Sequence, residues 1–510
     1  MVFTMSVPIR RRVAAVSAPL VVLSLLLVVT GCKTSTDWNR FDRNSVQGSL
    51  EALADAEARF ETERSANGLA AAVAKAKTEL EAHASVQAVA VSSDSSITAQ
   101  FKNGLLGCIF NIRESMHRTA PTPTPGRVRA ALGGETPSPY FILSPFSAEF
   151  GNNDPSGYIA DKLREFLDPT SATQVYEYYD ATVTVDVVRT AMMASVLYWA
   201  GHGGFVSVEP GNLDMPGLLT GEGGDPAAIA RRVVELEDQG YTFSANGGWQ
   251  LFTIAFHGKT WIGILPGFVT SYGDFDRFEG MQTNRTKSIA YISCCNSWRM
   301  RDAFQGKGVD AYLGWSASVS DEFSNSLDGD LFCNLCDTFT VQEAYDALGN
   351  QTEPGGASLY MQGDGNVMLR SAGRFTVDGS NVKCYMLICT VDDDGVTVLA
   401  CNDGLGQVGQ VQVEWPGGST GTFDVSQVDD AVLVWIGYGS MQPYIAQKDW
   451  QGVGGSINVT RYDAGVVSGT FSGTLGWWPP EANPREDPPS QTVTIGDGYF
   501  KYSGKRIQSK

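Results

Sequence analysis

Two stretches decide the fold: Val196-Leu197-Tyr198-Trp199-Ala200-Gly201-His202-Gly203-Gly204 and Ile289-Ala290-Tyr291-Ile292-Ser293-Cys294-Cys295-Asn296-Ser297. Each is an unbroken apolar run of strand length that stops at a residue able to do chemistry. Continuous apolar runs bounded by small residues read as strands buried on both faces, the condition of a parallel sheet covered by helices. In such sheets ligands bind in the crevice beyond the carboxyl ends of the strands. His202 and Cys295, far apart in the chain, are therefore expected to face one cleft. An imidazole beside a thiol favours the thiolate, which is the reactive nucleophile. Gly203 lets the backbone come close, and its N–H together with that of Cys295 is expected to form an oxyanion hole.

The surrounding pattern agrees. From residue 128 to 371 strands and helices alternate. Strands are expected at 140–143, 175–179, 196–199, 249–256, 261–269, 289–293 and 311–313, and helices at 158–167, 185–193, 226–238, 321–336 and 341–348. Thr184 reads as the cap of the second helix, and Asp225-Pro226 opens the third. The stretch between His202 and Asp225 reads as irregular and Gly-rich. Such βαβ alternation predicts an α/β domain with a mostly parallel sheet flanked by helices. Ahead of it, residues 33–118 read as a helical hairpin broken at Gly68, then β runs at 86–91 and 97–101 with a turn at Asn103-Gly104. The Pro-rich stretch 119–127 reads as a semi-rigid linker. Residues 374–510 lose helical periodicity, and short β-rich runs separated by Gly, Asp and Pro predict an all-β sandwich or barrel.

The ordered pair of an apolar strand with His-Gly and an apolar strand with small-Cys-x-Ser resembles the caspase, legumain, separase and gingipain superfamily of cysteine peptidases, with bacterial caspase-like domains nearest. The resemblance spans about residues 137–371. It implies a caspase-like sheet and a Cys295–His202 dyad cleaving peptide or protein substrates. Gly308-Val309-Asp310-Ala311-Tyr312-Leu313-Gly314-Trp315 resembles the family's next strand. The segment Trp315-Ser316-Ala317 would then pair its backbone with the substrate. Leu359 to Asn366 resembles the strand that closes gingipain-type domains. In relatives that cleave after Arg or Lys, an acidic residue sits where Asp321 and Glu322 fall. The same Ser320-Asp321-Glu322 also reads as the start of a helix. The resemblance implies no metal or organic cofactor. Ca²⁺ activates some relatives, although no motif supports it here. Two features depart from the family: the long interval between His202 and Cys295, and the vicinal Cys294-Cys295, whose oxidation would silence the thiol.

Residues 1–32 read as targeting sequence. Arg10, Arg11 and Arg12 precede an apolar run from Val13 to Val29, and Val29-Thr30-Gly31-Cys32 resembles the bacterial lipobox. That resemblance implies diacylation (palmitate-type chains) at Cys32 and a lipid-anchored place in the bacterial cell envelope. The absence of Asp after Cys32 suggests the outer membrane if the organism is Gram-negative. A net charge of −19 over 510 residues argues against nucleic acid, whose phosphates need clustered cations.

The remaining signals are weaker. His257-Gly258 is a second candidate partner for the thiol. Cys333-x-x-Cys336 supplies two ligands where a zinc site needs four. Cys389 and Cys401 flank an expected turn at 393–395 and could pair. Trp477 and Trp478 are candidates for a ligand face on the β domain. The alternative to an enzyme is thus a catalytically inactive surface lipoprotein that binds a glycan, protein or other ligand through that domain.

Overall fold

A computed structural model describes residues 41–112, 139–166, 174–207, 214–243, 248–275, 288–337 and 339–369, and shorter runs between 372 and 508. Cys32 and the targeting segment, the linker at 119–127 and the turn at 393–395 lie outside the described residues.

The helical hairpin is Arg43–Asn67 and Leu69–Ala82, split at Gly68, whose φ of +85° suits glycine. Three strands follow: β1 Val86–Val91, β2 Ile97–Phe101 and β3 Leu106–Ile109. Next come β4 Tyr140–Ser144, β5 Val175–Tyr179 and β6 Val196–Ala200. After them lie β7 Gly203–Ser207, β8 Asp214–Gly224, β9 Leu251–Phe256 and β10 Lys259–Ile264. The α/β region ends with β11 Ile289–Ser293, β12 Ala311–Trp315 and β13 Leu359–Gly363.

The protein is mixed α/β, with helix-flanked sheets and a separate β sheet. The first sheet has the order β13-β12-β11-β6-β4-β5, parallel except for β13. Strands β4, β6, β11 and β12 are buried throughout their length, as the sequence pattern requires. Alternate residues serve two cores. Phe141, Leu197, Trp199, Ala290 and Ile292 pack on one side with the N-terminal helices and the helix Pro226–Asp238. Tyr140, Tyr198, Ile289, Tyr291 and Leu313 pack on the other with the helices Ser156–Phe166 and Asp321–Cys336.

The second sheet differs from the sequence expectation. Its order is β1-β2-β3-β9-β10-β8-β7, with β3 and β9 the parallel pair. The Gly-rich stretch read as irregular forms the β7–β8 hairpin. The N-terminal β strands, read as a unit before the linker, join β9 in this sheet. The long helix Arg43–Asn67 shares a core with the first sheet, and the Phe41 N–H donates to Glu237 Oε2 at 2.8 Å. The strand expected at 261–269 ends at Ile264. Pro266 then opens a helix to Tyr272, because its fixed φ suits a first helical turn.

Among the described residues the C-terminal region is one sheet of twelve strands, ten along its path and two off it, antiparallel except where its last strand lies beside Met386–Val391. Its core includes Trp415, Phe471, Leu475 and Phe500. The ladder sets Cys389 across from Leu399 and Cys401 across from Leu387. Glu343 of the α/β region meets Lys501 and Arg461 of the β sheet, and Arg461 Nη2 donates to Asn366 Oδ1 at 2.7 Å.

Candidate functional site

The site lies at the corner where the chain leaves one sheet for the other. Strand β6 ends at Ala200 in the first sheet and β7 starts at Gly203 in the second, so Gly201-His202 is the corner itself. Strands β6 and β11 are adjacent and parallel, in register from Val196↔Ile289 to Ala200↔Ser293. That register carries His202 and Cys295 beyond neighbouring strand ends into one open cleft of ≈ 380 Å³, solvent mouth included. Ala200, Gly201, Ser293, Val319 and Asp321 also line it.

The two side chains share the cleft without a direct hydrogen bond. His202 Nε2 donates to Glu149 Oε1 at 3.1 Å. The ring packs between Phe146, Phe150 and Phe256, with centroids 4.6, 5.4 and 5.1 Å away. Cys295 Sγ instead points at the Val319 carbonyl, 3.6 Å away. Burial pushes this thiol up to about 11, and the nearby charges of Asp321 and Asp94 push the same way. Its neighbour Cys294 faces the opposite core, with its sulfur 3.8 Å from the Trp199 carbonyl, and burial drives its thiol up as well. Both thiols are free, so the vicinal disulfide is not formed.

The turn after Cys295 is tightly specified. Asn296 is buried and left-handed, with φ +60°, a region Asn tolerates better than most residues. Ser297 Oγ donates to the Ile292 carbonyl at 2.6 Å and accepts from the Trp315 N–H at 3.0 Å, while Tyr312 Oη donates to the Ser297 carbonyl at 2.6 Å. A Cβ on Gly203 would sit 2.5 Å from the Cys295 carbonyl oxygen, so no other residue fits there without moving the thiol's backbone. The Leu219 N–H bonds the His202 carbonyl, which makes Gly203↔Leu218 the non-bonded pair of the ladder. Alternation then points the Gly203 N–H away from β8.

Of the expected substrate-contact residues, Asp321 lines the cleft and Trp315 and Ser316 do not. Trp315 is wholly buried within β12, between β11 and β13, and offers the cleft no side chain. The Ser316 N–H donates to the Ser358 carbonyl at 2.9 Å, and the Ala317 carbonyl accepts from the Asn296 N–H at 3.2 Å. The Ser316 N–H and the Ala317 carbonyl thus have partners within the protein. Asp321 lines the cleft and is also the first residue of its helix. Burial pushes its carboxyl up, against a pull from His202. Exposed Glu322 is not among the lining residues. His257 sits in the β9–β10 turn at φ +53°, with Nε2 3.8 Å from the same Glu149 oxygen. It shares the carboxylate but does not line the cleft. Cys333 Sγ lies 2.8 Å from Tyr158 Oη, and no metal-binding cluster occurs among the described residues.

Sequence reasoning missed Glu149, Ile112 and Phe150. Glu149 lies on a one-turn helix, Ser147–Phe150, just beyond β4, and Asp180 Oδ1 anchors that helix by accepting from the Ala148 N–H at 2.8 Å. Because β4 lies beside β6, residues after β4 reach the same crevice as His202. The available signal was therefore sheet order rather than any motif. Ile112 comes from the chain just after β3, so the N-terminal region supplies a wall of the cleft.

No protein-family model matches the chain, and comparison with curated proteins gives no match.

Proposed function

We propose that this chain is a cysteine endopeptidase of the caspase, legumain, separase and gingipain superfamily, exported and held in the bacterial envelope by lipid on Cys32. The observation that carries the reading is the register of β6 and β11, which sets His202 and Cys295 beyond adjacent strand ends on one cleft. Glu149 supports it by taking the Nε2–H, which leaves the Nδ1 lone pair to exchange a proton. In the resting state the thiol is protonated at neutral pH and leans on Val319. Catalysis requires Sγ to turn from that carbonyl toward the imidazole. His202 takes the thiol proton, the sulfur attacks the peptide carbonyl, and the Gly203 and Cys295 N–H groups hold the oxyanion. The imidazolium then protonates the leaving amine, and water hydrolyses the thioester. This chemistry uses no metal or organic cofactor.

Apolar Ile112 and Phe150 with acidic Asp321 in one cleft suit an aliphatic stem ending in a cation, so Arg or Lys is the expected residue before the cut. The test is labelling by a peptide that carries an Arg and a thiol-reactive warhead. Wild type should label at Cys295 and Cys295→Ala should not; equal labelling of both refutes the peptidase. A peptide library cut without bias toward Arg or Lys removes the role of Asp321. A second reading, an inactive scaffold that binds through its β domain, draws on the Sγ–Val319 contact and the high thiol. Failure of the warhead to label wild type would favour it.

A further inference from the structure

We propose that Asp94, at the tip of the β1–β2 hairpin, is a positioning residue that clamps together the two chain segments bearing His202 and Cys295. The inference rests on the peptidase reading and adds to it a part from the N-terminal region, which the sequence set apart from the α/β domain.

One carboxylate oxygen does the clamping. Asp94 Oδ2 accepts from the Phe205 N–H at 3.1 Å and from Asn296 Nδ2 at 3.4 Å. Phe205 lies two residues past Gly203 on β7, and Asn296 directly follows Cys295. Along the ladder Phe205↔Pro216 is again a non-bonded pair, so the Phe205 N–H points away from β8, the same way as the Gly203 N–H. Without Asp94 this edge donor and the amide of the buried Asn296 would lose their acceptor, and unsatisfied buried donors are costly.

The carboxylate is itself fixed. Its other oxygen accepts from Ser92 Oγ at 2.5 Å and from the Ser96 N–H at 2.9 Å. The Asp94 carbonyl accepts from Asn111 Nδ2 at 2.8 Å. A second tie secures the tip: the Ser93 N–H and Oγ both donate to Asp214 Oδ2, at the start of β8. The clamp therefore ends on a rigid hairpin rather than a free loop. Its geometry explains how Asn296 can hold a left-handed conformation next to the nucleophile: the backbone N–H binds Ala317 and the side chain binds Asp94.

The position has an electrostatic signature that mere hairpin packing lacks. The Asp94 charge opposes thiolate formation at Cys295. Removing the charge should ease ionisation of the thiol while loosening the geometry, so thiol reactivity and turnover should move in opposite directions.

The experiment uses the full chain with Asp94→Asn, Asp94→Ala, Asn296→Ala and the Asp94→Ala/Asn296→Ala double variant. Iodoacetamide alkylation of Cys295, localised by peptide mass, is followed from about pH 8 to about pH 12, and hydrolysis of an Arg peptide gives kcat and KM. In Asp94→Asn the alkylation midpoint should fall below that of wild type. Turnover should drop by about tenfold or more in Asp94→Ala, with KM nearly unchanged, and the double variant should be no worse than the poorer single variant. Unchanged kcat in both Asp94 variants, or losses that multiply in the double variant, overturn the clamp. If wild type cleaves no peptide the peptidase reading fails by itself. The alkylation midpoint then decides the clamp, and an identical midpoint in wild type and Asp94→Asn overturns it.

Discussion

Asp328 makes a sharp test of the packing beneath the site. It lies fully buried on the helix Asp321–Cys336 and accepts from Tyr198 Oη on β6, at 2.7 Å, and from Tyr291 Oη on β11. These are the strands that end at His202 and Cys295, so one carboxyl braces both. Burial raises its pKa from 3.8 to about 6, against the opposing pull of the two tyrosines, with the charge of Asp154 adding to the rise. A raised carboxyl favours the neutral form in the folded state. Its stabilising contribution is therefore complete below the unfolded value, near 4, and is lost as pH rises through about 6. The difference corresponds to about 2 kcal/mol between pH 4 and pH 7.5. Asp328→Asn removes the titration but keeps one acceptor oxygen. Urea unfolding followed by tryptophan fluorescence at several pH values would report the stability of each protein. Relative to the variant, wild type should lose about 2 kcal/mol across that window, so the cost of the substitution shrinks as pH rises. A stability difference that stays constant with pH, or grows, refutes the argument that the buried carboxyl carries this titration.

Three further outcomes are expected. Gly203→Ala places a Cβ 2.5 Å from the Cys295 carbonyl oxygen, and turnover should fall by about 100-fold for about 1–3 kcal/mol of stability; steady-state kinetics that keep kcat within a few-fold of wild type contradict the close approach. Glu149→Gln keeps an acceptor for His202 Nε2 but loses the charge, which should cost about tenfold in kcat, and Glu149→Ala should cost more; equal rates in wild type and Glu149→Gln would show that the charge is idle. With its thiol pushed up to about 11, resting Cys295 should react with iodoacetamide at pH 7 about 100-fold more slowly than an ordinary cysteine, and rate measurement by mass spectrometry would expose a faster thiol.

Local signals made much of this fold legible. The helix from Pro226 to Asp238, capped by Asp225, follows from Asp-Pro at its start and an apolar face. The helical hairpin broken at Gly68 follows from periodicity and one glycine. The strands at β4, β5, β6, β11 and β12 follow from short apolar runs, and their ends named His202 and Cys295 as candidates. These features depend on neighbours within a few residues, so the linear chain contains them. Strand β8 defeated that reasoning because Gly217, Gly221, Gly223 and Gly224 leave no apolar alternation. Its glycines make room instead for partners distant in the chain: Phe252 against Gly217, Trp261 against Gly223 and the Asp180 carbonyl against Gly221.

What the sequence determined by itself is the identity of most elements and the residue types at their ends. What only the tertiary structure decided is which chemistry those ends meet. Glu149 reaches His202 because β4 lies beside β6, Ile112 reaches the cleft because β3 pairs with β9, and Asp94 reaches Asn296 across the second sheet. Each depends on strand order and register, and hydrogen-bond ladders between distant segments leave no periodicity in the chain that forms them.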